Sequence, residues 1–462
     1  MINHPKCLST GHATRGPHMK MLRRIFLLLQ HGTIACGKKL PYPGRLASIH
    51  LITLYSVTFF FLLPALCYQM RHSIYFLENL KDRDQQIEMF NAENDKRIQQ
   101  ANLYLQNVYK AGGNSAETQG LGNTDTLISE MDKQAIPHFL NEQEPRVDIA
   151  ITIISVSRNR HKFDSYEPRY LTQTVWHYLH LLSRPDAQHR SVKLFLCNVD
   201  NDPATYHELL NLSSIVHTFQ RFPNKFEFHI NVFEKEKQDY VYCLNASLSW
   251  NPSFVLLVED DSLPRDELFP VMNYVLDYFA SDKKGHKTTL MFPDKWYMKL
   301  YHPERLLGYW SMEIERIPEL ASLSLLFGLL VICLYQCLGL RVTIFTNINA
   351  TWFFLSLYFC LVFIAIGRQN LLELRRLSKY FFMLTPAPSC CTPAILYPSA
   401  GAKAVVDYLS ATHCKASFAK DMALEEMRYK LGMKAYLLQP NLFRHIGLYS
   451  SLRTKILSPS VV

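Results

Sequence analysis

An acidic triplet at the end of an apolar run is the clearest sign of chemistry in this chain. Glu259, Asp260 and Asp261 follow the run FVLLV at residues 254–258. A buried strand that reaches water at its carboxyl end would deliver these carboxylates to the mouth of a nucleotide pocket, where their oxygens suit Mg²⁺ or Mn²⁺. Because side chains alternate along a strand, Glu259 and Asp261 are expected on one face and Asp260 on the other. A solvated turn is the alternative interpretation of the triplet.

A divalent ion in that position would stabilise a departing diphosphate, as in transfer from a nucleotide-sugar. An inverting transfer also needs a carboxylate that accepts the proton of the attacking hydroxyl. The candidates in the C-terminal half are Asp407, Asp421, Glu425 and Glu426. The pattern SFAKDMALEEM places Asp421 where a loop enters a helix, which would present its side chain. The alternative role for this aspartate is an N-terminal helix cap.

Two histidines are further candidates for the site. His445 in QPNLFRHIG could supply an imidazole to the metal or the diphosphate, although a lone histidine is more often structural. His302, with Lys299 and Arg305 nearby, could contact an acceptor or a phosphate, or could belong to a solvated loop.

These side chains need a scaffold, and the pattern of the chain predicts an α/β domain. Apolar runs alternate with helix-like stretches, the strands at 147–158, 192–200, 227–233 and 254–261 and the helices near 168–183 and 237–250. Runs that are apolar throughout and separated by helices are typical of parallel strands buried on both faces. We therefore predict a nucleotide-binding α/β domain, whose ligands collect outside the carboxyl ends of the strands.

The N-terminal part of the chain is organised around one apolar segment, residues 48–68, which is uncharged and long enough to cross a bilayer. No acidic residue precedes Glu78, while basic residues cluster between Lys20 and Arg45. Basic residues before a span tend to stay cytosolic, so residues 1–47 are predicted to be cytosolic and residues 48–68 a signal-anchor. We attribute the net charge of +9 to this topology rather than to nucleic-acid binding.

A second apolar block predicts that the membrane interrupts the soluble domain. Between Leu320 and Gly367 the only charged residue in the sequence is Arg341, so residues 320–367 are long enough for a transmembrane hairpin. The alternative, a buried hairpin in a soluble core, is disfavoured because soluble helices carry a polar face. A channel or transporter is disfavoured because these spans contain no acidic residue.

Two spans return the chain to the side of the membrane that it left. The predicted lumenal parts are therefore a stem and tether at 69–146 and one domain made of residues 147–319 and 368–462. Five cysteines lie in this soluble part, at Cys197, Cys243, Cys390, Cys391 and Cys414, and their spacing is not a zinc pattern.

An oxidising lumen permits disulfides between these cysteines. The adjacent pair Cys390 and Cys391 can bridge only with a strained backbone, so free thiols or separate partners remain open. Sequons at Asn211 and Asn245 also suit the lumen and are candidate glycosylation sites.

Seven motifs, taken in order, resemble one family. They are FEKEKQDYVYCL (233–244), VEDD (258–261), KLYHPERL (299–306), LELRRLS (372–378), CCTPA (390–394), KDMAL (420–424) and PNLFRHIGLYSSLR (440–453). The chain is similar over this length to the Golgi GPI N-acetylgalactosamine transferase family, post-GPI attachment to proteins factor 4. Motifs of this length in this order are highly specific.

The resemblance implies a glycosyltransferase A-type, Rossmann-like fold that is interrupted by a transmembrane hairpin and lies in the Golgi lumen. It implies metal-assisted, inverting transfer of N-acetylgalactosamine from UDP-GalNAc to the first mannose of the GPI glycan of GPI-anchored proteins. The cofactor would be Mn²⁺ or Mg²⁺. The expected partners are UDP-GalNAc, GPI-anchored proteins and the lipid bilayer, and nucleic acid is not expected.

The resemblance also assigns roles to individual residues. It places the UDP-sugar and its Mn²⁺ at Glu259, Asp260 and Asp261, with Val156 against the nucleotide, and it makes Asp421 the catalytic base. The predicted metal ligands are Glu259, Asp261 and His445.

By the same analogy, the disulfides join Cys197 to Cys243 and Cys390 to Cys391. The chain departs from the family pattern at two places. A further cysteine pair expected before Cys197 is absent from SRPDAQHRSVK, which bears on local stability, and Glu425 stands where a tyrosine is expected, which bears on acceptor contacts.

The sequence leaves two other functions open. One is a non-catalytic Golgi receptor or adaptor that binds glycans with the same domain. The other is a transferase for a different lipid-linked or N-linked acceptor, since the identity of the sugar and of the acceptor rests on the resemblance alone.

Overall fold

The structure is a computed structural model that describes residues 52–77, 81–113, 147–158, 166–227, 231–280, 295–309, 316–337, 348–451 and 455–459. The chain divides into two compact units. The smaller unit comprises the chain up to Leu80 together with Gly308–Leu371, and the larger comprises Lys81–Leu307 and Leu372–Val462.

Helices and strands alternate through most of the described chain. The helices are α1 (Ile52–Cys67), α2 (Arg83–Gly113), α3 (Tyr170–Leu182), α4 (His207–Leu212), α5 (Val232–Leu248), α6 (Leu268–Val275), α7 (Arg316–Cys337), α8 (Ile348–Ile366), α9 (Arg368–Glu373), α10 (Ser399–Ser410) and α11 (Lys420–Leu431). The strands are β1 (Ile149–Ser155), β2 (Val192–Asn198), β3 (His217–Gln220), β4 (Phe254–Glu259), β5 (Ser262–Pro264), β6 (Trp296–Lys299), β7 (Met383–Pro386), β8 (Ala394–Pro398), β9 (Lys434–Gln439), β10 (Phe443–His445), β11 (Tyr449–Ser450) and β12 (Lys455–Ile456).

The larger unit is built on one eight-stranded sheet with the order β3-β2-β1-β4-β8-β6-β9-β7. The pairs β1–β2, β1–β4, β2–β3 and β6–β9 are parallel, whereas β8 runs antiparallel to β4 and β6, and β7 runs antiparallel to β9. The predicted α/β class is confirmed. The sheet is mixed rather than wholly parallel because β7 and β8, for which the sequence pattern predicted no strands, enter it in the opposite direction.

Both faces of the sheet are buried. Along β4, Leu256 and Val258 belong to one apolar core, and Val255 and Leu257 belong to the other. Helices α3 and α6 contribute to the first core, while α5, α10 and α11 contribute to the second. This explains why the strand sequences are apolar throughout instead of alternating with polar residues.

One segment predicted as a strand begins a helix instead. Within residues 227–233, the Asn231 side chain caps α5 by accepting a hydrogen bond from the Glu234 backbone N–H at 2.9 Å, so Val232 and Phe233 are helical. An asparagine cap satisfies one of the free N–H groups at a helix start, and this outweighs the apolar character of the residues. Residues 228–230 lie outside the described part of the chain, and the strand beside β2 is β3.

A disulfide links β2 to the helix that covers it. Cys197 and Cys243 form this bond, as the resemblance implied, with a Cα–Cα distance of 5.8 Å. Both residues are completely buried beside the second core. The bond therefore fixes α5, which contributes side chains near the acidic motif, to the parallel half of the sheet.

The smaller unit contains three apolar helices among its described residues. Helices α7 and α8 are long and apolar enough to cross a membrane, by length and composition, whereas α1 is shorter. The Tyr55 hydroxyl of α1 donates to the Phe354 carbonyl of α8 at 3.2 Å. A Cβ atom on Gly328 would lie 2.5 Å from Ser356 Oγ, so α7 and α8 approach closely through small residues, as helices in bilayers often do.

The helices coincide with the apolar segments of the sequence, but the membrane topology stays a prediction. Residues 1–47, 48–51 and most of the turn of the predicted hairpin lie outside the described residues. Helix α2 lies within the predicted stem and tether at 69–146, of which residues 114–146 are outside the described residues.

Candidate active site

The acidic motif lies at the carboxyl edge of the sheet, beside the point where the strand order reverses. Strand β4 ends at Glu259, and Asp260 and Asp261 form the turn that leads to β5. Ile154 near the end of β1 pairs with Glu259, while β2 and β3 lie on the other side of β1. In open α/β sheets, a crevice for ligands forms at the carboxyl edge where the strand order reverses.

Arg158, three residues after β1, joins two of the three carboxylates. Its guanidinium donates to both oxygens of Asp260 at 2.7 Å and to Asp261 Oδ2 at 3.1 Å. Asp260 also accepts a hydrogen bond from Ser155 Oγ at 2.9 Å. The expectation that Asp260 points away from Asp261 is therefore wrong. Because β4 ends at Glu259, the alternation of a strand does not extend into the turn.

Glu259 faces a different cation, the buried ammonium of Lys420. The Lys420 Nζ atom lies 3.7 Å from Glu259 and 2.9 Å from Glu236, and 4.6 Å above the centre of the Tyr240 ring. Burial raises the pKa of Glu259 to about 7, although the ammonium of Lys420 opposes this shift. Glu259 thus holds its charge less readily than a carboxylate in water.

Asp261 and His445 are brought together by a short ladder between β5 and β10. His445 pairs with Ser262, and its Nε2 atom lies 3.5 Å from Asp261 Oδ2. Burial alone would raise the pKa of Asp261, but His445 and Arg158 together lower it below its usual value. Burial alone would lower the pKa of His445, but the charge of Asp261 raises it. Asp261 therefore keeps its charge more readily than Glu259 does.

These residues can be tested for their fit to a divalent cation. Asp261 Oδ1 is buried and has no hydrogen-bond partner among the described residues. Within that same part of the chain, no group of three or more His, Cys, Asp or Glu side chains is placed to hold a metal ion. A cation that bridges a diphosphate needs only one or two protein carboxylates, because phosphates and water complete its shell. Asp261 meets that requirement, and the His445 imidazole beside it could add a nitrogen ligand, whereas Glu259 is paired with Lys420.

Strand β8 brings residues from beyond the apolar helices to the same edge. Because it runs antiparallel to β4, with Ala394 opposite Val258, the residues before β8 lie at the carboxyl end of β4. The Glu259 backbone N–H donates to the Pro393 carbonyl at 2.8 Å. The loop at 390–393 is thus fixed directly against the acidic motif.

Asp421 joins this loop from the first turn of α11. Its carboxylate accepts hydrogen bonds from the Cys391 backbone N–H at 2.9 Å and from Thr392 Oγ1 at 3.2 Å. The N-cap of the helix is Ala419, and the bonds of Asp421 leave the helix instead of closing its end. Asp421 therefore does not act as a cap. Its neighbour Lys420 contacts the acidic motif, so α11 presents both residues to the same edge.

The adjacent cysteines in this loop are free thiols, which differs from the bridge that the resemblance implied. Their sulphur atoms lie 3.1 Å apart, in a hydrogen bond from Cys391 to Cys390. The Cys391 backbone is left-handed, with φ at 69°, and its N–H donates to Asp421 while the two sulphur atoms stay unbridged. The pair contributes to the shape of the loop rather than to a cross-link.

Lys299 and His302 are structural rather than exposed to an acceptor. The Lys299 ammonium donates to the carbonyls of Pro388 and Cys390, each at 2.8 Å, and burial lowers its pKa. His302 is 1% exposed, and its backbone exchanges two hydrogen bonds with the Asn441 side chain. The interpretation of His302 in a solvated loop is therefore wrong.

The remaining predicted residues lie at different places. Val156 follows β1 at the carboxyl edge and is half-buried against the second core. Asn211 on α4 and Asn245 on α5 are exposed, and neither contacts the acidic motif in any described interaction. A cavity of about 450 Å³ is lined by Asp186, His189, Tyr274 and their neighbours. Asp186 and His189 come just before β2 in the chain, at the amino end of that strand, so the cavity is separate from this edge.

Three residues of the site were missed in the sequence. The sequence gives only a weak indication of Arg158. This residue comes at the end of the first apolar run, just as the acidic motif comes at the end of the fourth apolar run. Lys420 stands beside Asp421, but its burial between two glutamates depends on α5. Gly447 is needed because a Cβ there would lie 2.1 Å from Asp261 Oδ2, which no pattern within the sequence indicates.

Comparison with known protein families assigns the chain to a class. The matching family model is described as GPI-N-acetylgalactosamine transferase PGAP4, and it covers residues 149–444. This is more than half of the chain, so the chain belongs to this family and is a glycosyltransferase with a GPI-related acceptor. The matched range begins with β1 and includes the acidic motif and Asp421.

Replacing Gly447 by alanine should impair activity with little effect on folding. The added Cβ would displace the Asp261 carboxylate, and a shift of about 1 Å at a reacting centre can cost on the order of 100-fold in rate. We expect kcat/KM for sugar transfer to fall at least tenfold while the unfolding temperature changes little.

Gly308→Ala is the matched control, because its Cβ would meet only the flexible end of Gln369, at 3.1 Å. Full activity in Gly447→Ala would show that the position of Asp261 is not important for transfer.

Proposed function

We propose that the chain moves N-acetylgalactosamine from UDP-GalNAc to the first mannose of the GPI glycan, by metal-assisted inverting transfer in the Golgi lumen. The observation that carries this proposal is the meeting of Asp421 with the acidic motif at one edge of the sheet. The two lie on either side of α7 and α8 in the sequence, and the β4–β8 pairing and Lys420 bring them together. Family membership supports the GPI acceptor and the sugar.

In this proposal, the diphosphate of the donor binds at the acidic motif. Asp261 and His445 would hold a divalent cation, which when bound neutralises the charge that develops on the departing diphosphate. His445 and Arg158 lower the pKa of Asp261, and the hydrogen bond from Arg158 fixes its orientation, so little reorganisation is needed when the donor binds. The half-buried Val156, just after β1, would contact the nucleotide.

Asp421 is the proposed general base. The acceptor hydroxyl gives its proton to Asp421 while the hydroxyl oxygen forms a bond to the anomeric carbon of the sugar. The bond from that carbon to the diphosphate oxygen breaks, and UDP leaves with the electron pair, which inverts the anomeric centre. The donors from Cys391 and Thr392 orient the carboxylate for this step.

The Golgi location and the multi-pass topology are part of the same proposal. They are supported by the basic N-terminal segment, by the length and apolar character of α7 and α8, and by the family. A GPI acceptor is attached to lipid, so an enzyme anchored in the same membrane would meet it more often than a freely diffusing one.

Transfer by the purified full-length protein tests the donor and the cation. We expect GPI-bearing protein to accept sugar from UDP-GalNAc in preference to UDP-GlcNAc, UDP-galactose or UDP-glucose. Chelation should abolish transfer, and added Mn²⁺ should restore it. Equal use of another UDP-sugar would contradict the donor assignment, and undiminished transfer after chelation would contradict the role of the cation.

In the same assay, Asp421→Asn tests the proposed base. We expect kcat to fall by roughly 100-fold to 10,000-fold, the usual contribution of general base catalysis, while the affinity for UDP-GalNAc is retained. Glu426→Gln is the control, since Glu426 lies on the same helix but is partly exposed and pairs with Lys430 at 2.5 Å. A parental kcat in Asp421→Asn would exclude Asp421 as the base.

A further inference from the structure

The segment at 372–382 holds a group of large apolar side chains at the surface of the larger unit. Leu374, Leu377, Tyr380 and Phe381 are 61%, 81%, 64% and 54% exposed, and Leu377 is the most exposed large hydrophobic residue of the described chain. We call these four side chains the apolar patch. A cluster of this kind on a folded surface usually marks an interaction site.

The two ends of the segment are anchored in the interior. Leu372 is 5% exposed and belongs to one core, and Phe382 is 9% exposed and belongs to the other. Between them run two short 3₁₀ turns, Leu374–Leu377 and Lys379–Phe381. The patch is therefore displayed between two buried anchors and is not part of a frayed end.

Specific bonds hold the segment in this shape. Arg376 pairs with Glu267 and donates to the Asn441 carbonyl at 2.7 Å. Arg375 Nη1 donates to the Phe381 carbonyl at 2.9 Å, and the Ser378 side chain caps the second turn. Two arginines thus fix the backbone, and the leucines and aromatic rings remain outside.

The side chains interspersed with the patch are mostly basic, which suits the phosphates of lipid headgroups. Arg375 and exposed Lys379 are interspersed with the patch, and the Lys379 Nζ atom lies 5.6 Å from the centre of the Tyr380 ring. The acid within the segment, Glu373, is paired with Arg376 at 2.6 Å. Leucine and aromatic side chains mixed with basic residues are typical of segments that lie at the lipid headgroups.

We propose that the apolar patch inserts into the headgroup region of the lipid bilayer. Continuity of the chain with α8 supports this occupant over a soluble partner. The segment begins six residues after α8 ends at Ile366, and an extended chain of that length spans at most about 20 Å. If α8 crosses the bilayer, the patch is within reach of its surface, where Arg and Lys side chains keep their charged ends at the headgroups.

The test uses the full-length protein reconstituted in vesicles of phosphatidylcholine with phosphatidylserine, with or without bromine on the acyl chains near the headgroup. In Leu377→Trp, we expect the added tryptophan emission to fall at least twofold in brominated vesicles. Leu431→Trp, at an exposed leucine at the end of α11, is the control and should be quenched much less. Equal quenching at both positions, or no quenching at Leu377, would overturn the proposal. No quenching at Leu377 is the result expected if a second copy or a soluble partner covers the patch.

A transfer assay, which rests on the proposed transferase activity, distinguishes failure of the membrane contact from failure of the proposed function. Leu374→Ser/Leu377→Ser should lower transfer to GPI in vesicles severalfold, with transfer to the same acceptor in detergent unchanged. The substituted side chains are exposed, so folding should be preserved, and thermal unfolding checks this. Equal loss in vesicles and in detergent would overturn the role of the patch. If no variant and no parent transfers sugar while Leu377→Trp is quenched, the proposed function fails and the membrane contact stands.

Discussion

The antiparallel pairing of β8 with β4 is the constraint on which the rest of the site depends. Strand β4 carries the acidic motif to the carboxyl edge of the sheet, and β8 begins at that edge because it runs the other way. The loop before β8 and the helix α11 that bonds to it are therefore fixed beside Glu259. Without this pairing, the parts of the domain before and after α7 and α8 would contribute to separate edges.

Buried charges in pairs give the site its shape. A carboxylate removed from water is costly unless it is paired and hydrogen-bonded. Arg158 satisfies Asp260 and one oxygen of Asp261, and Lys420 lies between Glu236 and Glu259. This leaves Asp261 Oδ1 as a buried carboxylate oxygen without a hydrogen-bond partner among the described residues, which is the property expected of an atom that meets a cation.

The sequence predicts features that depend on neighbouring residues and misses those that depend on distant ones. The α/β class follows from apolar runs separated by helices, and the position of the acidic motif follows from the run FVLLV before it. Asp421 is identifiable as the start of a helix. Its partner, the loop at 390–393, is reached only through the β4–β8 pairing, which no local pattern indicates.

The same distinction explains the errors. The apolar residues 232–233 resemble a strand, but the Asn231 cap makes them helical. Asp260 was expected on the opposite face from Asp261, yet the strand ends before either residue, and Arg158 contacts both. The role of Lys299 in holding the 388–390 carbonyls depends on burial, and burial of a lysine has no signature in composition.

The central claim is that donor binding and proton transfer occur at one edge, between the acidic motif and Asp421. The most direct measurement is an experimental structure of the full-length protein with UDP-GalNAc and Mn²⁺. The account predicts the diphosphate and the cation beside Asp261 and His445, with the anomeric carbon facing Asp421. A nucleotide bound elsewhere, such as in the cavity lined by His189 and Tyr274, would contradict it.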